Sequence, residues 1–332
     1  MHRMSTPQPI SAGRTKASVS VIVPAYNGGK FIAEALDSIL AQSLPVEQIL
    51  IVDDGSTDDT AAIVARYTDR RIQYIRQSHA GLVTACNVGL DAARSESVTF
   101  LNPEDRWSPA FVERMHDYLA EDPAIVCAFS NFVHLDDSTG KMVGDQFRHY
   151  PEIKRPVLLK DAPHARGRIP KELAFGALVA CSEIPAYLQV MMFRRSAIEN
   201  LRLEPNLGRG ADTAFALRAF MQGEVVFTDD VLAIVRHHDR KAPREQSELA
   251  VQRLDALKAL APHLTRERDV RPYRERLSKA QLDTAISLMR AGQARAAFRA
   301  YREGLKFPGL GLRKFQSSMR LLAALPQGWF QK

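Results

Sequence analysis

Polar residues follow three apolar segments of the chain, and their types suit cation binding and hydrogen bonding. The segments VSVIV, ILIV and SVTFL run directly into Pro24–Asn27 (PAYN), Asp53–Ser56 (DDGS) and Asn102–Asp105 (NPED). Turn chemistry alone would account for one acidic cluster of this kind. Three clusters at equivalent strand ends indicate a ligand site, because the oxygens of acids such as Glu104 and Asp105 are hard ligands that Mg²⁺ and Mn²⁺ prefer.

The elements that carry these clusters alternate between strand and helix. The three apolar segments are short and rich in β-branched residues, as in buried strands, and the segments between them repeat their apolar residues at helical spacing. This alternation predicts an α/β fold with a largely parallel sheet flanked by helices. Ligands of such sheets bind at the carboxyl ends of the strands, so the three clusters are expected at one edge.

The second half of the chain has a less regular pattern. AIVCAFSNFV predicts a strand, and residues 136–184, which are rich in His, Arg, Lys and Pro, are expected to be mainly loop. VMMFRRSAI predicts a strand followed by a helix, and ADTAFALRAFMQG predicts a helix that ends at Gly223. EVVFTDDVLAIVRHHDR predicts a strand pair or one extended segment, and the chain is expected to be helical from Lys241 onward.

Composition excludes several classes of protein. The chain has 332 residues, of which 45% are hydrophobic and 25% charged, as in ordinary globular proteins. Its three cysteines lie far apart, which argues against a disulfide framework or a zinc knuckle and favours a reducing compartment. Residues 1–17 lack the apolar core of a signal peptide and are expected to be a disordered tail. No apolar run reaches the length of about 18 residues that a membrane span needs.

Positive charge is concentrated at the C-terminal end. Residues 241–332 contain 19 Lys and Arg against 8 Asp and Glu, a net +11, which leaves −4 for the first 240 residues. An anionic membrane is one candidate partner for this basic region, a nucleic acid is another, and a solvated helical face is a third interpretation. A stripe of Leu312, Phe315, Met319 and Leu322 fits either membrane contact or packing against the rest of the chain.

The motifs, taken in order, resemble those of the family-2 glycosyltransferases, inverting enzymes of the GT-A fold. The resemblance extends over roughly residues 19–238 and includes VSVIVPAYN, ILIVDDGSTDDT, GLVTACNVGLDAA, FLNPEDRW, VMMFRRSAI, GADTAFALRA and VRHH. It implies a GT-A domain at 18–240, and the helical pattern after it predicts a basic C-terminal region at 241–332.

The resemblance assigns the first two clusters to nucleotide binding. In the family, the first-strand loop and the second acid of DDGS hold the nucleobase, which corresponds here to Pro24, Ala25, Tyr26 and Asp54. A carboxylate can accept the imide N–H of uracil or thymine, and an aromatic ring can pack on the base. Asn87 in TACNVG also matches a family position on the nucleotide side. A turn with a helix cap is the structural alternative for DDGS.

FLNPEDRW takes the place of the family's metal-binding motif. The resemblance makes Asp105 the ligand of Mn²⁺ or Mg²⁺ and Glu104 the contact of the ribose or an outer-shell partner of the metal. It makes His238 a further metal ligand and Arg236 a contact of the diphosphate. Asn102 and Arg194 are assigned to the diphosphate or the acceptor, and Arg194 could instead begin a helix.

Asp212 occupies the position of the family's general base, at the start of a helix. In that role its carboxylate would remove the proton of the acceptor hydroxyl as the oxygen attacks the anomeric carbon. A helix N-cap is the structural alternative. Three residues depart from the family pattern: Asn102 replaces an Asp, Cys86 an Arg and Ala211 a Glu. They favour the alternative hypothesis, a degenerate glycosyltransferase fold that binds a nucleotide or a partner without turnover.

The sequence as a whole predicts a metal-assisted glycosyltransferase. Its donor is expected to be a nucleotide-diphosphate sugar linked to UDP or dTDP, and its acceptor a glycan or a lipid-linked molecule in polysaccharide synthesis. We expect a cytoplasmic protein, and for its basic C-terminal helices two interpretations stay open: contact with the inner face of the membrane, or packing against the rest of the chain. No nucleic-acid partner is expected, because no nucleic-acid-binding motif is present.

Overall fold

The computed structural model describes residues 16–145, 158–159, 166–179, 187–237 and 243–306. Three sequence predictions lie wholly or mostly outside these ranges: the tail at 1–17, the ligand role of His238 and the apolar stripe that begins at Leu312.

The described residues form alternating strands and helices over the first 121 positions. The strands are β1 (Val19–Ala25), β2 (Gln48–Asp53), β3 (Ile72–Arg76), β4 (Ser97–Phe100), β5 (Arg106–Trp107), β6 (Ile125–Asp136), β7 (Met142–Asp145), β8 (Leu158–Leu159), β9 (Arg166–Ile169), β10 (Met191–Arg194) and β11 (Glu224–His237). The α-helices are α1 (Ile32–Leu40), α2 (Thr60–Val64), α3 (Leu82–Ala92), α4 (Phe111–Glu121), α5 (Lys171–Val179), α6 (Arg195–Ile198), α7 (Ala211–Phe220), α8 (Pro243–Ala259), α9 (Glu267–Arg290) and α10 (Ala294–Leu305).

One sheet joins all these strands in the order β3-β2-β1-β4-β10-β6-β11-β9-β8, with β5 paired to β11 and β7 to β6. The first four strands in this order are parallel to one another, as the strand–helix alternation predicts. β10 runs antiparallel to both of its neighbours, and β6 and β11 are parallel again. The predicted α/β class is confirmed, with a sheet that is parallel in its N-terminal half and mixed beyond it.

One local prediction needs correction, and the structure decides between the two alternatives of another. Residues 136–184 were expected to be mainly loop, but they include β7, β9 and α5 as well as β8. Their polar composition hid these elements, since β9 reads RGRI and buries only alternate residues. The segment from Glu224 is one strand of 14 residues, in which register shifts between Thr228 and Ala233 accommodate the polar pair Asp229–Asp230.

The parallel half of the sheet is buried on both faces. Every residue of β1, β2 and β4 is buried, which explains their continuous apolar sequences. Helix α3 packs closely enough on β1 that a methyl group at Gly89 would lie 2.3 Å from a methyl carbon of Ile22. The polar residues that follow these strands therefore lie on a rigid support.

The C-terminal helices share the core of the sheet. Leu254 and Leu257 of α8 and Tyr273 and Leu277 of α9 belong to the same cluster of buried apolar residues as β1 and β4. Among the described residues, no helix combines the length and the apolar character that crossing a membrane requires.

Candidate functional site

The loop after β1 is fixed to the turn after β2 by hydrogen bonds. Asn27 has a φ of 50°, a left-handed conformation that Asn tolerates better than most residues. Its backbone N–H donates to Ser56 Oγ at 2.9 Å, and its side-chain oxygen accepts from the Thr57 N–H at 2.9 Å. The Asp54 N–H donates to the Ala25 carbonyl at 2.8 Å. Two of the three polar clusters thus form one rigid surface.

Asp54 is buried beneath this surface and organises the start of α3. Its carboxylate accepts from the backbone N–H groups of Ala80 and Gly81, both at 2.8 Å, and from Gln77 Nε2 at 2.7 Å. Burial disfavours the charge, but these hydrogen bonds outweigh it, so the pKa of Asp54 lies below its usual value. Asp54 is therefore ionised at neutral pH and holds residues 77–81 in place.

An aromatic pair lies beside Asp54. The ring of Tyr26 is stacked on that of His79 with 4.2 Å between centroids, and 46% of Tyr26 is exposed. His79 Nδ1 lies 2.8 Å from a carboxylate oxygen of Asp54. The sequence analysis did not identify His79 as a site residue. Its position was a signal, because it follows β3 and lies two residues before the glycine that precedes α3. The pair offers a flat surface next to a carboxylate, which suits a nucleobase.

Asp105 is the buried acid of the third cluster, with 2% of its surface exposed. One carboxylate oxygen accepts from the Arg236 backbone N–H at 2.8 Å, and the other accepts from Asn102 Nδ2 at 3.1 Å. A methyl group at Gly28 would lie 3.0 Å from Cβ of Pro103, so the PAYN loop touches this cluster too. The three predicted clusters lie together at the carboxyl edge of the sheet.

The electrostatics of Asp105 fit a cation. Burial, with a further contribution from the Glu104 carboxylate, raises the pKa of Asp105 to about 7. A cation next to the Asp105 carboxylate would favour its ionised form. Within the described ranges no group of three or more His, Cys, Asp or Glu side chains forms a metal cage. Mg²⁺ and Mn²⁺ do not need one, because they bind through few carboxylates together with substrate phosphates.

The guanidinium of Arg236 is engaged by protein groups. It donates to Asp137 Oδ1 at 2.7 Å and to Glu34 Oε2 at 3.1 Å, and it lies over the Phe31 ring at 4.2 Å. Its Nε also donates to the Glu104 carbonyl at 3.2 Å. The predicted contact with a diphosphate would require these ion pairs to open, whereas the backbone N–H of Arg236 already orients Asp105.

Asp212 lies half-buried in the first turn of α7. One carboxylate oxygen accepts from the Thr213 N–H at 2.6 Å. Burial raises the pKa of Asp212, against smaller opposing effects of Thr213 and Arg253. Burial, and to a smaller extent the charge of Asp212, raises the pKa of Cys86 to about 12. The thiol therefore stays protonated at neutral pH and serves as a packed side chain.

Helix α7, which carries Asp212, packs against the end of β4. Phe215, one helical turn after Asp212, makes an edge-to-face contact with Phe100 at 6.3 Å between centroids. Phe100 ends β4 and is two residues from Asn102.

Two predicted site residues have structural roles. Both polar groups of the Asn87 side chain are bonded to the backbone of Leu203, at 2.8 and 2.9 Å. Arg194 donates to the carbonyls of Ile125 and Asp122 at 2.9 and 3.0 Å, near the end of α4. It pairs with Ser97, the first residue of β4, and so lies at the opposite edge of the sheet from Asp105. The predicted contact of Arg194 with diphosphate or acceptor does not fit this position.

The comparisons with known proteins agree with one family. The family model "Glycosyl transferase family 2" matches residues 20–181. The glycosyltransferase EpsJ of Bacillus subtilis is 29% identical over 225 residues, which cover 66% of this chain and 61% of EpsJ. The chain thus spans less than two thirds of this relative.

Two solved structures are similar in fold. The mannosyltransferase PcManGT of Pyrobaculum calidifontis, in complex with GDP-Man and Mn²⁺, has a TM-score of 0.59 at 18% identity and covers 95% of this chain and 84% of its own. TarS residues 1–349 of S. aureus, in complex with UDP, has a TM-score of 0.54 at 15% identity, with 92% and 88% covered. At these identities the likeness shows the GT-A fold alone.

Proposed function

The chain belongs to glycosyltransferase family 2, and from this membership we propose that it transfers a sugar from a nucleotide-diphosphate sugar to a hydroxyl group with inversion of configuration. The observation that carries the proposal is the joining of the three polar clusters at one sheet edge, where Gly28, next to Asn27, lies against Pro103 in the cluster that contains the buried carboxylate of Asp105.

The nucleobase is proposed to bind against the surface that the PAYN loop and residues 77–81 form together. Tyr26 supplies an exposed aromatic face, and Asp54 holds its neighbours rigid through hydrogen bonds that already occupy its oxygens. Uracil and thymine fit this polar and aromatic surface. Since the two structural neighbours hold UDP and GDP-Man, the test includes both kinds of base.

Asp105 is the residue proposed to hold a divalent cation, Mn²⁺ or Mg²⁺, with Glu104 as the contact of the ribose or as an outer-shell partner of the cation. When bound, the cation would neutralise the charge of the departing diphosphate. Asn102 and the backbone N–H of Arg236 keep the Asp105 carboxylate in one orientation, and this preorganisation limits the entropy lost on binding.

Asp212 is proposed as the general base. Its carboxylate takes the proton from the acceptor hydroxyl while that oxygen bonds to the anomeric carbon and the bond from this carbon to the diphosphate oxygen breaks. The raised pKa brings Asp212 closer to neutral pH, where a base is more effective. The acceptor proposed is a glycan or a lipid-linked molecule, the class that the family implies.

A binding screen tests the donor class. Thermal unfolding of the full chain is measured with UDP, dTDP and GDP sugars, each with and without Mn²⁺, because a ligand of the native state raises the midpoint by mass action. We expect a rise with a uridine or thymidine donor that is larger with Mn²⁺. Release of the nucleotide on addition of acceptor extracts then separates an enzyme from a degenerate fold, which would bind without turnover.

A substitution at the cation site tests the metal. In Asp105→Asn the shape of the side chain is kept but its charge is lost, so we expect nucleotide-sugar binding that no longer responds to Mn²⁺. Asp91→Asn, on an exposed acid paired with Arg202, is the matched control. Unchanged metal dependence in Asp105→Asn would place the cation elsewhere.

A further inference from the structure

The imidazole of His79 contacts both of the groups that the proposed nucleobase site offers. It stacks on the ring of Tyr26, with 4.2 Å between centroids and 27° between planes. Its Nδ1 lies 2.8 Å from Oδ2 of Asp54 and 3.2 Å from the Asp54 carbonyl oxygen. Both of these oxygens are acceptors, so Nδ1 carries a hydrogen and donates it. The ring is thus a flat heterocycle that packs on Tyr26 and gives one N–H to Asp54.

A nucleobase would make the same two contacts. Uracil, thymine and guanine are flat rings with one ring N–H each, which a carboxylate can accept, and an aromatic side chain can stack on them. Oδ2 of Asp54 is within reach of the face of Tyr26 that His79 covers. A base that contacts Tyr26 and Asp54 together therefore needs the position of the imidazole.

Asp54 has no free acceptor position while His79 is in place. Its Oδ1 accepts from Gln77 Nε2 and the Ala80 N–H, and its Oδ2 accepts from the Gly81 N–H and His79. Two bonds to each oxygen use the roughly four lone-pair positions of a carboxylate. On Oδ2 the Gly81 donor belongs to the backbone, whereas the His79 donor is a side chain that can rotate away.

The His79 side chain can leave without a change in the backbone. Of this side chain 57% is exposed, and Nε2 has no hydrogen-bond partner among the residues that the structure describes. The backbone around it is closely packed, because a methyl group at Gly55 would lie 3.0 Å from the His79 nitrogen. Rotation about χ1 would move the ring into solvent and open one position on Asp54.

We propose that the His79 imidazole occupies the nucleobase position of the empty protein, and that the base displaces it and takes over its contacts with Tyr26 and Asp54. This inference rests on the proposed donor site and adds to it the position of the base and a side chain that competes for it. A base with a ring N–H can replace the imidazole on Oδ2, whereas adenine and cytosine lack this group. The apparent affinity for the donor is then reduced by the fraction of molecules in which His79 has left the site.

Removal of the imidazole is the direct test. Calorimetry with the full chain measures the binding of UDP and of GDP, each with Mn²⁺, to the wild type and to His79→Ala. We expect His79→Ala to bind the preferred nucleotide roughly tenfold more tightly, the factor for a competitor that fills the site in about nine of ten molecules. Weaker binding by the variant would mean that His79 contacts the bound base, and equal binding would mean that the two do not compete. Either result overturns the proposal.

Gln77→Ala is the matched control. It also removes a side-chain donor from Asp54, but Gln77 has no ring that could stack on Tyr26. We expect no gain in nucleotide affinity from this substitution. A gain equal to that of His79→Ala would show that the loss of any donor to Asp54 is sufficient, and the imidazole would then not mark the position of the base.

A methylated base identifies the acceptor of the ring N–H. 3-Methyluridine diphosphate, or 1-methylguanosine diphosphate where GDP is preferred, lacks this N–H. We expect it to bind roughly tenfold more weakly than its parent nucleotide to the wild type and to His79→Ala alike, because Asp54 accepts the N–H in both proteins. Discrimination that is lost in His79→Ala would show that His79 reads the base, against the proposal. All these failures leave nucleotide binding by the wild type intact, whereas the absence of binding to both proteins would overturn the donor site itself.

Discussion

The carboxylates around the proposed site differ in their surroundings and therefore in their state at neutral pH. Hydrogen bonds from backbone amides keep Asp54 ionised, whereas burial and the Glu104 charge bring the pKa of Asp105 to about 7. Burial raises the pKa of Asp212 without a second carboxylate among its causes. These environments suit a structural anion, a cation ligand and a proton acceptor respectively.

Asp212→Asn is expected to abolish transfer while nucleotide-sugar binding persists. The amide fits the same space but cannot take a proton, so turnover should fall by roughly 10²–10⁴-fold with the dissociation constant of the donor unchanged. The measurement is product formation under saturating donor together with calorimetric binding. Asp91→Asn is again the control, and full turnover in Asp212→Asn would remove this residue from the mechanism.

Asp54 is expected to make folding stability depend on pH. Its pKa is lowered in the folded state, so its contribution to stability is fully present above the unfolded value of about 4 and is lost as pH falls through the folded value. Asp54→Asn removes the charge that three donors contact and should destabilise the protein at pH 7. The difference in unfolding free energy between wild type and variant should shrink below about pH 4 in urea titrations. A constant difference from pH 7 to pH 3 would contradict this account.

Sequence reasoning located the acids of the site but not their partners. Asp54 and Asp105 follow apolar segments directly, so their position at strand ends could be predicted. The approach of Arg236 and His79 depends on long-range packing, with the Arg236 N–H reaching Asp105 across 131 positions. The sequence motif around Arg194 does not reveal that its strand, β10, runs antiparallel to β4. This direction places Arg194 at the edge of the sheet opposite to Asp105, away from the predicted contact.

At the scale of elements, α3 packs on β1. This contact positions residues 77–81, which precede α3 and donate hydrogen bonds to Asp54. Gly89→Ala should destabilise the protein by about 1–3 kcal/mol, because the added methyl group would lie 2.3 Å from Ile22 and the helix would have to move. Urea unfolding monitored by circular dichroism measures this change.

The matched control for Gly89→Ala is Gly176→Ala on α5. Its nearest neighbour, a carbon of Pro272, would be 3.4 Å away, an ordinary van der Waals distance. The better helix propensity of alanine should leave stability unchanged or raise it by up to about 1 kcal/mol. Equal destabilisation by the two substitutions would mean that the Ile22 contact is not the cause.

The elements most accessible to sequence reasoning were those with a continuous apolar pattern. β1, β2 and β4 are buried throughout and were predicted from this pattern. β9 and α5 were not, because they lie in a segment rich in polar residues and β9 buries only alternate residues. The place of β9 depends on pairing with β11, which lies far along the chain.

At the scale of the whole molecule, the shared core bears on the predicted boundary at residue 240. Helix α8 lies against the segment before α7: a methyl group at Gly210 would be 2.5 Å from the Gln252 carbonyl. The side chains of Leu254, Leu257 and Tyr273 complete a core that includes β1 and β4. The basic composition after residue 241 suggests a separate region, whereas its buried residues join it to the sheet.

A chain that ends at residue 240 is therefore expected not to fold stably. Each large apolar side chain buried in this core contributes about 1.5–3 kcal/mol, and several of them together approach the total stability of about 5–15 kcal/mol that proteins have. Scanning calorimetry should show no cooperative transition for residues 1–240, and a dye for exposed apolar surface should bind. A chain that ends at residue 306 retains the contacts of α8 and α9 that the structure describes and is the reference. A cooperative transition of residues 1–240 at the temperature of the reference would show that the GT-A domain is independent, because only a domain that buries its own core could unfold in this way.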